Sequence, residues 1–220
     1  MARAFDLLIW DLDGTLIESR DDLVDAVNAT RRHMGFDPLP AYTVASYVGN
    51  GAPVLIRRAL GDAVPQADVD HALDHFIRHY YMHCLDKTAL YPGVLEALDR
   101  LADAGVKLAI LTNKPVMISK RIVAGLGLTE LFFRIYGGNS FDEKKPNPVG
   151  ILHLMSEANA SRERTLMIGD SRVDIETARN ARSKSCGVLW GLQPETLADP
   201  RPDFTIAEAH ELVSIVLTKL

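Results

Sequence analysis

Short apolar runs that each end in a polar cluster constrain the fold of this chain more than any other feature of its sequence. The run at residues 5–10 leads into Asp-Leu-Asp-Gly, the run at 106–111 into Thr-Asn-Lys-Pro, and the run at 165–168 into Gly-Asp-Ser. Each predicts a buried strand followed by a turn. Residues 132–136 and 187–190 are further candidate strands.

Helical patterns with recognisable ends lie between these strands. Pro92 and Gly105 bound one helix, Pro115 begins another that ends near residues 125–127, and Pro146 or Pro148 begins a third. The alternation predicts an α/β fold, a doubly wound, Rossmann-like parallel sheet with helices on both faces. Active sites in such sheets form at the carboxyl ends of the strands, where the polar clusters fall.

Residues 16 to about 89 interrupt this alternation with helical patterns alone, at 21–34, 42–47, 52–60 and 66–85. A chain of 220 residues is long enough for one domain that carries a smaller insertion. We therefore expect an α/β core domain made of residues 1–15 and 90–220. The inserted residues, 16–89, are expected to form a helical cap domain over the end of the first strand.

Charge and cysteine content restrict the possible functions. A formal net charge of -5 argues against a nucleic-acid partner that binds a basic face. Asp6 and Asp11 interrupt the first apolar stretch, which is therefore expected to be neither a signal peptide nor a membrane span. The cytoplasm is the default location that follows. Cys84 and Cys186 match no CxxC or disulfide pattern and are expected to be buried thiols.

Four dispersed polar clusters could converge at the strand ends. Asp11 and Asp13 point the same way if the strand stays extended, and Gly14 permits the turn that follows. Carboxylates brought together would repel one another unless a cation joined them, and Mg²⁺ prefers carboxylates with phosphate and water. Two acids, a cation and a lysine are what phosphoryl transfer to a carboxylate requires. The clusters are residues 11–16, Thr112 with Asn113, Lys145 with Pro146, and residues 169–174, which include Asp170 and Asp174.

In order and spacing, these clusters resemble the four motifs of the haloacid dehalogenase superfamily. The resemblance lies in DLDGTL, LTNKP, the lysine of KKP, and GDSRVDIETARNA, and it spans residues 5–190. The segments SYVGNGAPVLIRRAL and LYPGVLEAL are similar to the phosphoglycolate phosphatase branch. The resemblance implies a Mg²⁺-dependent phosphatase that hydrolyses a small phosphomonoester, with 2-phosphoglycolate favoured, through an aspartyl-phosphate intermediate.

The resemblance also implies a role for each matched residue. Asp11 would be the nucleophile, and Asp13 would protonate the leaving group and then activate water. Thr112, the backbone amide of Asn113, and Lys145 would hold the phosphoryl group.

The resemblance likewise implies ligands for the metal ion. Mg²⁺ would be bound by Asp11, the backbone carbonyl of Asp13, and Asp170, while Asp174 would reach it directly or through water.

The doubled lysine leaves Lys144 open as an alternative to Lys145. Asn50 belongs to a candidate specificity loop. Arg57 and Arg58 are candidates to bind a substrate carboxylate, since arginine can do so with two hydrogen bonds.

Several alternatives remain open at this point. The same scaffold could serve another hydrolase or a mutase acting on sugar phosphates or pyrophosphate. A non-catalytic binding module with this fold is a second possibility. The expected partner is a small-molecule phosphate ester, with no nucleic acid and no membrane, and the chain could be a monomer or a homodimer.

A run of histidines spaced four apart drifts around a helix, which favours a solvated helix face over a metal site; these are His71, His75, His79 and His83.

Overall fold

The structure is a computed structural model that describes residues 3–217, and its centre is a parallel sheet. Six strands form this sheet in the order β5-β4-β1-β6-β7-β8, and β2 pairs with β3 in a separate antiparallel ribbon. The predicted doubly wound α/β fold is confirmed. In chain order the strands are β1 (Leu7–Trp10), β2 (Ile17–Glu18), β3 (Ala89–Leu90), β4 (Lys107–Leu111), β5 (Arg134–Tyr136), β6 (Thr165–Gly169), β7 (Lys184–Val188) and β8 (Phe204–Ile206).

Helices cover both faces of the sheet. Alternate residues of β1 point to opposite faces, so Leu7 and Ile9 pack in one buried cluster and Leu8 and Trp10 in the other. Helices α7 and α8 contribute to the first cluster, and α5, α6 and α9 to the second. In chain order the helices are α1 (Arg20–His33), α2 (Ala41–Tyr47), α3 (Ala52–Leu60), α4 (Gln66–His83), α5 (Val94–Asp103), α6 (Val116–Gly125), α7 (Val149–Ala158), α8 (Arg172–Ala181) and α9 (Ala209–Val216).

The register of the three central strands determines where the functional residues meet. Trp10 at the end of β1 pairs with Ile110 of β4 on one side and with Ile168 of β6 on the other. The strands are parallel, so the polar residues that follow all three leave the sheet at the same edge. The Asp11 N–H continues the pairing by donating to the Ile168 carbonyl at 2.9 Å.

Helices α1 to α4 form one block between β2 and β3. Their buried side chains belong to the same apolar cluster as one face of the sheet. Phe76 and Tyr80 on α4 are fully buried, and Leu73 and Ile77 are partly buried beside them, as the apolar pattern of this helix predicts. The sequence predicts only helices in this part of the chain, so the short strands β2 and β3 at its two ends differ from the prediction. The chain enters and leaves the block at adjacent points, and four residues suffice to pair there.

Other differences lie at the carboxyl-terminal end of the fold. Strand β7 spans Lys184–Val188 rather than 187–190, and β8 and α9 were not expected. β8 has only three residues, too few for a clear alternating pattern.

Cys84 and Cys186 are buried free thiols, as predicted. Within residues 3–217, no helix combines the length and the apolar character needed to cross a membrane.

Candidate active site

Asp11 lies at the carboxyl end of the central strand β1 and is buried. The chain then turns through Gly14, which has φ of +78°, a conformation that favours glycine. A Cβ atom at this position would also overlap the carboxylate of Asp170. The turn therefore brings the first polar cluster close to the cluster that follows β6.

Lys145 is the cation that contacts Asp11. Its Nζ lies 2.8 Å from Asp11 Oδ1 and 2.7 Å from Asp174 Oδ1, and its side chain is almost fully buried. Burial lowers the pKa of Lys145, but the charges of the two carboxylates outweigh this and raise the pKa above its ordinary value. Lys145 is therefore charged. The neighbouring Lys144 instead donates to the Asn50 carbonyl at 2.7 Å.

Asp11, Asp170 and Asp174 together form an acidic cluster. Each offers one carboxylate oxygen, and these oxygens all lie within 4.8 Å of one another. In residues 3–217 no other set of three histidine, cysteine or acidic side chains meets this condition, the histidines of α4 included. The cluster could therefore hold a metal ion.

The electrostatics of this cluster fit a hard divalent cation. Burial raises the pKa of Asp11 to about 6, with the charge of Lys145 opposing and that of Asp174 adding to the shift. Burial, followed by the charges of Asp174 and Asp11, raises the pKa of Asp170 well above its ordinary value. One lysine does not balance three carboxylates. A cation bound by carboxylate oxygens would remove the repulsion.

Asp170 and Asp174 differ in how much of each carboxylate is occupied. Asp170 Oδ2 accepts hydrogen bonds from the N–H groups of Leu192 at 2.6 Å and Gln193 at 3.2 Å. Asp174 uses one oxygen for Lys145, and its other oxygen accepts from the N–H and hydroxyl of Ser171 in a capping box that begins α8. Both oxygens of Asp174 are thus engaged.

Thr112 and Asn113 follow β4 and are both buried. The Asn113 side-chain amide donates to the Gly49 carbonyl at 2.9 Å and to the Lys145 carbonyl at 3.0 Å. Asn113 therefore connects three separate segments of the chain, while the Thr112 side chain faces the pocket beside Asp11.

Asp13 forms a second, separate ion pair. Lys114 Nζ lies 2.7 and 2.9 Å from the two carboxylate oxygens of Asp13 and donates to the Tyr80 hydroxyl at 2.7 Å. The Ser19 hydroxyl donates to Asp13 Oδ1 at 2.5 Å. Burial, followed by the charge of Asp13, raises the pKa of Tyr80 well above its ordinary value. The phenol is therefore neutral, and the carboxylate is held by a lysine and a serine.

The loop between α2 and α3 lies over these residues. Val48, Gly49 and Gly51 line a pocket together with the strand-end residues. The Gln193 side chain donates to the Val48 carbonyl at 3.0 Å, and the Asn113 and Lys144 contacts described above hold the next two residues. Three side chains from outside the helical block thus fasten this loop.

The three substrate candidates on the helical block do not line the pocket. Asn50 contributes its backbone carbonyl to Lys144, but it is not among the residues that line the pocket. Arg57 donates to the Val64 carbonyl at 2.7 Å and to the Gln66 side chain. Arg58 is exposed. The structure brings neither arginine to the pocket.

Two residues of the site have no role assigned from the sequence. Lys114 lies inside the LTNKP segment, but only Thr112 and Asn113 of that segment were given a function. Tyr80 is one of several apolar positions on α4, so its hydroxyl contact with Lys114 depends on how the helices pack.

The fold and the site together define a class of protein, an α/β enzyme fold with carboxylates and a lysine gathered at the strand ends. The chain belongs to the haloacid dehalogenase-like hydrolase family, whose model matches residues 8–188. The resemblance read from the four motifs is therefore confirmed.

Individual relatives match over most of the chain. A phosphoglycolate phosphatase of Agrobacterium fabrum is 36% identical over 217 residues, which cover 97% of this chain and 93% of the relative. One of Colwellia psychrerythraea is 40% identical over 192 residues, covering 84% and 85%. The crystal structure of a predicted phosphoglycolate phosphatase from Haemophilus somnus superposes with a TM-score of 0.92 at 29% identity, covering 96% of this chain and 98% of that one.

Proposed function

We propose that this chain is a phosphatase that hydrolyses 2-phosphoglycolate through a phosphorylated Asp11. The observation that carries the proposal is the setting of Asp11, a buried carboxylate at a strand end, 2.8 Å from Lys145. Asp13 lies two residues further on in the same pocket. The choice of substrate is supported by relatives that are named phosphoglycolate phosphatase and match most of this chain.

The reaction has two steps. Asp11 attacks the phosphorus atom, and the bond from phosphorus to the ester oxygen breaks while Asp13 protonates that oxygen. Water then attacks the phosphorus of the aspartyl phosphate, Asp13 accepts a proton from it, and inorganic phosphate and the free carboxylate of Asp11 are formed. Asp13 enters the first step as the carboxylic acid and leaves the second step in the same form, because it takes up the proton of the attacking water. Ser19 and Lys114 fix the orientation of its carboxyl group.

Other residues orient the phosphoryl group. The Thr112 hydroxyl and the backbone amide of Asn113 hold its oxygens, and the charge of Lys145 offsets its negative charge. Lys145 is itself kept in place by Asp174, which explains why that aspartate is fully buried.

A bound Mg²⁺ would be held by Asp11, Asp170 and the backbone carbonyl of Asp13, with Asp174 behind them, and would stabilise charge on the transferring group. Asp174 suits the more distant position because both of its oxygens are already engaged.

The helical block, residues 16–89, would act as a cap domain on the core formed by residues 1–15 and 90–220. This division is supported by the loop at residues 48–51, which closes one side of the pocket. Such caps admit substrate when open and exclude water when closed. A cytoplasmic location, and the choice between a monomer and a homodimer, stay predictions.

The test is phosphate release from a panel of small phosphate esters and pyrophosphate, with and without Mg²⁺. We expect release that depends on Mg²⁺, is fastest on 2-phosphoglycolate, and is lost in Asp11→Asn. Asp99→Asn, which changes an exposed aspartate on α5, is the matched control and should retain full activity.

Each other result has a distinct meaning. Faster release from another ester would refute the substrate but retain the mechanism. Isomerisation of a sugar phosphate without release would indicate a mutase. Absence of turnover on every compound would refute the enzyme and favour a binding module.

A further inference from the structure

We propose that Lys114 binds the carboxylate of the leaving group and thereby selects phosphate esters of 2-hydroxy acids. This inference rests on the proposed function, because it concerns the substrate of the same site. Arg57 and Arg58 are the carboxylate ligands expected from the sequence, but Arg57 is engaged with Val64 and Gln66. Lys114 is the better candidate to bind the carboxylate, because it lies in the pocket against Asp13.

The position of Lys114 follows from the chemistry of the substrate. In 2-phosphoglycolate one methylene group separates the ester oxygen from the carboxyl carbon. Asp13 must lie within hydrogen-bond distance of the ester oxygen in order to protonate it. Lys114 Nζ is 2.7 Å from Asp13, so a cation already stands next to the place where the leaving group's carboxylate has to lie.

Lys114 also has a hydrogen bond that it can redirect. An ammonium group has three N–H donors. One bonds the Tyr80 hydroxyl, and the other two both bond the carboxylate of Asp13. Asp13 also accepts from Ser19, so its orientation survives when one of the two lysine bonds passes to the substrate.

No other cation lines this part of the pocket. Among its lining residues within 3–217, Lys114 is the only lysine or arginine. Lys145 is held between Asp11 and Asp174 on the phosphoryl side, and Lys144 is bound to a backbone carbonyl. The side chain of Lys114 is 3% exposed, so solvent screens its attraction for a carboxylate only weakly.

The space beyond Lys114 favours a small leaving group. A second pocket on the side of the helical block shares Lys114 with the first, and its walls include Leu55, Phe76 and Tyr80. Lys114 is the only charged side chain on these walls in the part of the chain that the structure describes. A sugar with several hydroxyl groups would lose hydrogen bonds to water there without gaining partners, whereas a single carboxylate would replace its lost hydration by a charged hydrogen bond from Lys114.

The experiment compares two esters that differ only at this group, 2-phosphoglycolate and ethyl phosphate, in which a methyl group replaces the carboxylate. In wild type we expect a large preference for 2-phosphoglycolate in kcat/KM. In Lys114→Met we expect that preference to fall by roughly 10- to 100-fold, the loss typical of one hydrogen bond between charged groups. Lys114→Arg, which keeps the charge, should retain most of the preference.

Two controls separate binding from folding. Lys120→Met removes an exposed lysine on α6 and should leave both esters unaffected. In the Asp11→Asn background, which cannot form the covalent intermediate, calorimetry should show that Lys114→Met weakens binding of 2-phosphoglycolate more than binding of ethyl phosphate. This second measurement does not depend on turnover.

Equal losses on the two esters, in kcat/KM and in binding, would overturn the inference and leave Lys114 as a residue that only orients Asp13. A wild type without any preference for 2-phosphoglycolate would refute the proposed substrate, and this inference with it. The wild-type comparison therefore tests the function, and the change in the ratio tests Lys114.

Discussion

Asp22 on α1 connects the two ends of the helical block, and its removal is expected to weaken the whole fold. Its carboxylate is buried, with 2% of the residue exposed. Asp22 Oδ2 accepts hydrogen bonds from the Lys87 N–H at 3.1 Å, the Thr88 N–H at 2.9 Å and the Thr88 hydroxyl at 2.7 Å. Residues 87 and 88 lead out of the block into β3, while α1 follows β2. One side chain thus connects the two ends of the block beside the β2–β3 ribbon.

The magnitude follows from the number of bonds lost. Asp22→Ala removes the acceptor of three donors, each worth about 1.5–3 kcal/mol when the acceptor is charged. The Thr88 hydroxyl can rotate to another acceptor, so we count two bonds and expect a loss of about 3–6 kcal/mol in the free energy of unfolding. For a chain of this size that corresponds to a fall in Tm of roughly 6–24 °C. Asp22→Asn keeps an acceptor and should lose less than half as much.

The assay is urea unfolding followed by circular dichroism, with Asp21→Ala as the matched control. Asp21 is the preceding residue in the same first turn of α1 but is exposed. We expect Asp21→Ala to stay within about 1 kcal/mol of wild type. If Asp22→Ala lost no more stability than Asp21→Ala, the reasoning from buried hydrogen bonds would be wrong. A double-mutant cycle with Thr88→Val would isolate the hydroxyl's share.

Three further predictions concern substrate binding, acid stability and backbone geometry. Arg57→Ala and Arg58→Ala should change KM for 2-phosphoglycolate by less than about twofold in steady-state kinetics, since neither guanidinium faces the pocket. The hydrogen bond from Arg164 lowers the pKa of Asp6 from 3.8 to about 2, so the stability it supplies is complete above about pH 4 and is lost as the pH falls toward 2. Between these pH values wild type should lose about 1 kcal/mol more than Asp6→Asn in urea unfolding, a figure reduced for solvent screening. Gly14→Ala should lower kcat/KM by about 100-fold in the phosphate-release assay, because the added Cβ displaces a proposed metal ligand; activity close to wild type would contradict this.

The parts of the fold that could be predicted are those encoded by local patterns. Apolar runs that end in polar clusters identified β1, β4 and β6, and proline and glycine bounded the helices between them. In a parallel sheet the carboxyl ends of neighbouring strands share an edge, so the convergence of Asp11, Thr112 and Asp170 also followed from the sequence. By contrast, β8 is too short for its pattern to predict a strand. Helix α9 does carry the spacing of an amphipathic helix, with Ala209, Leu212, Val213 and Val216 on its buried face, and it was missed.

Spacing alone could not separate adjacent residues with the same chemistry. Lys144 and Lys145 both follow the loop after β5, and only the folded chain points one at Asp11 and the other at Asn50. Arg57 likewise looked free to bind a carboxylate. In the structure, carbonyl groups only a few residues away take its donors.

The sequence by itself determined the alternation of strands and helices, the inserted helical block, and the acids and lysine of the four motifs. Periodicity shows which face of each element is apolar, but not which faces meet. Only the tertiary structure brought Lys114 against Asp13 and Tyr80, which lie 101 and 34 residues away from it along the chain. Contacts of that range depend on how helices pack over a sheet, so the ion pair beside Asp13 is decided by packing rather than by any motif.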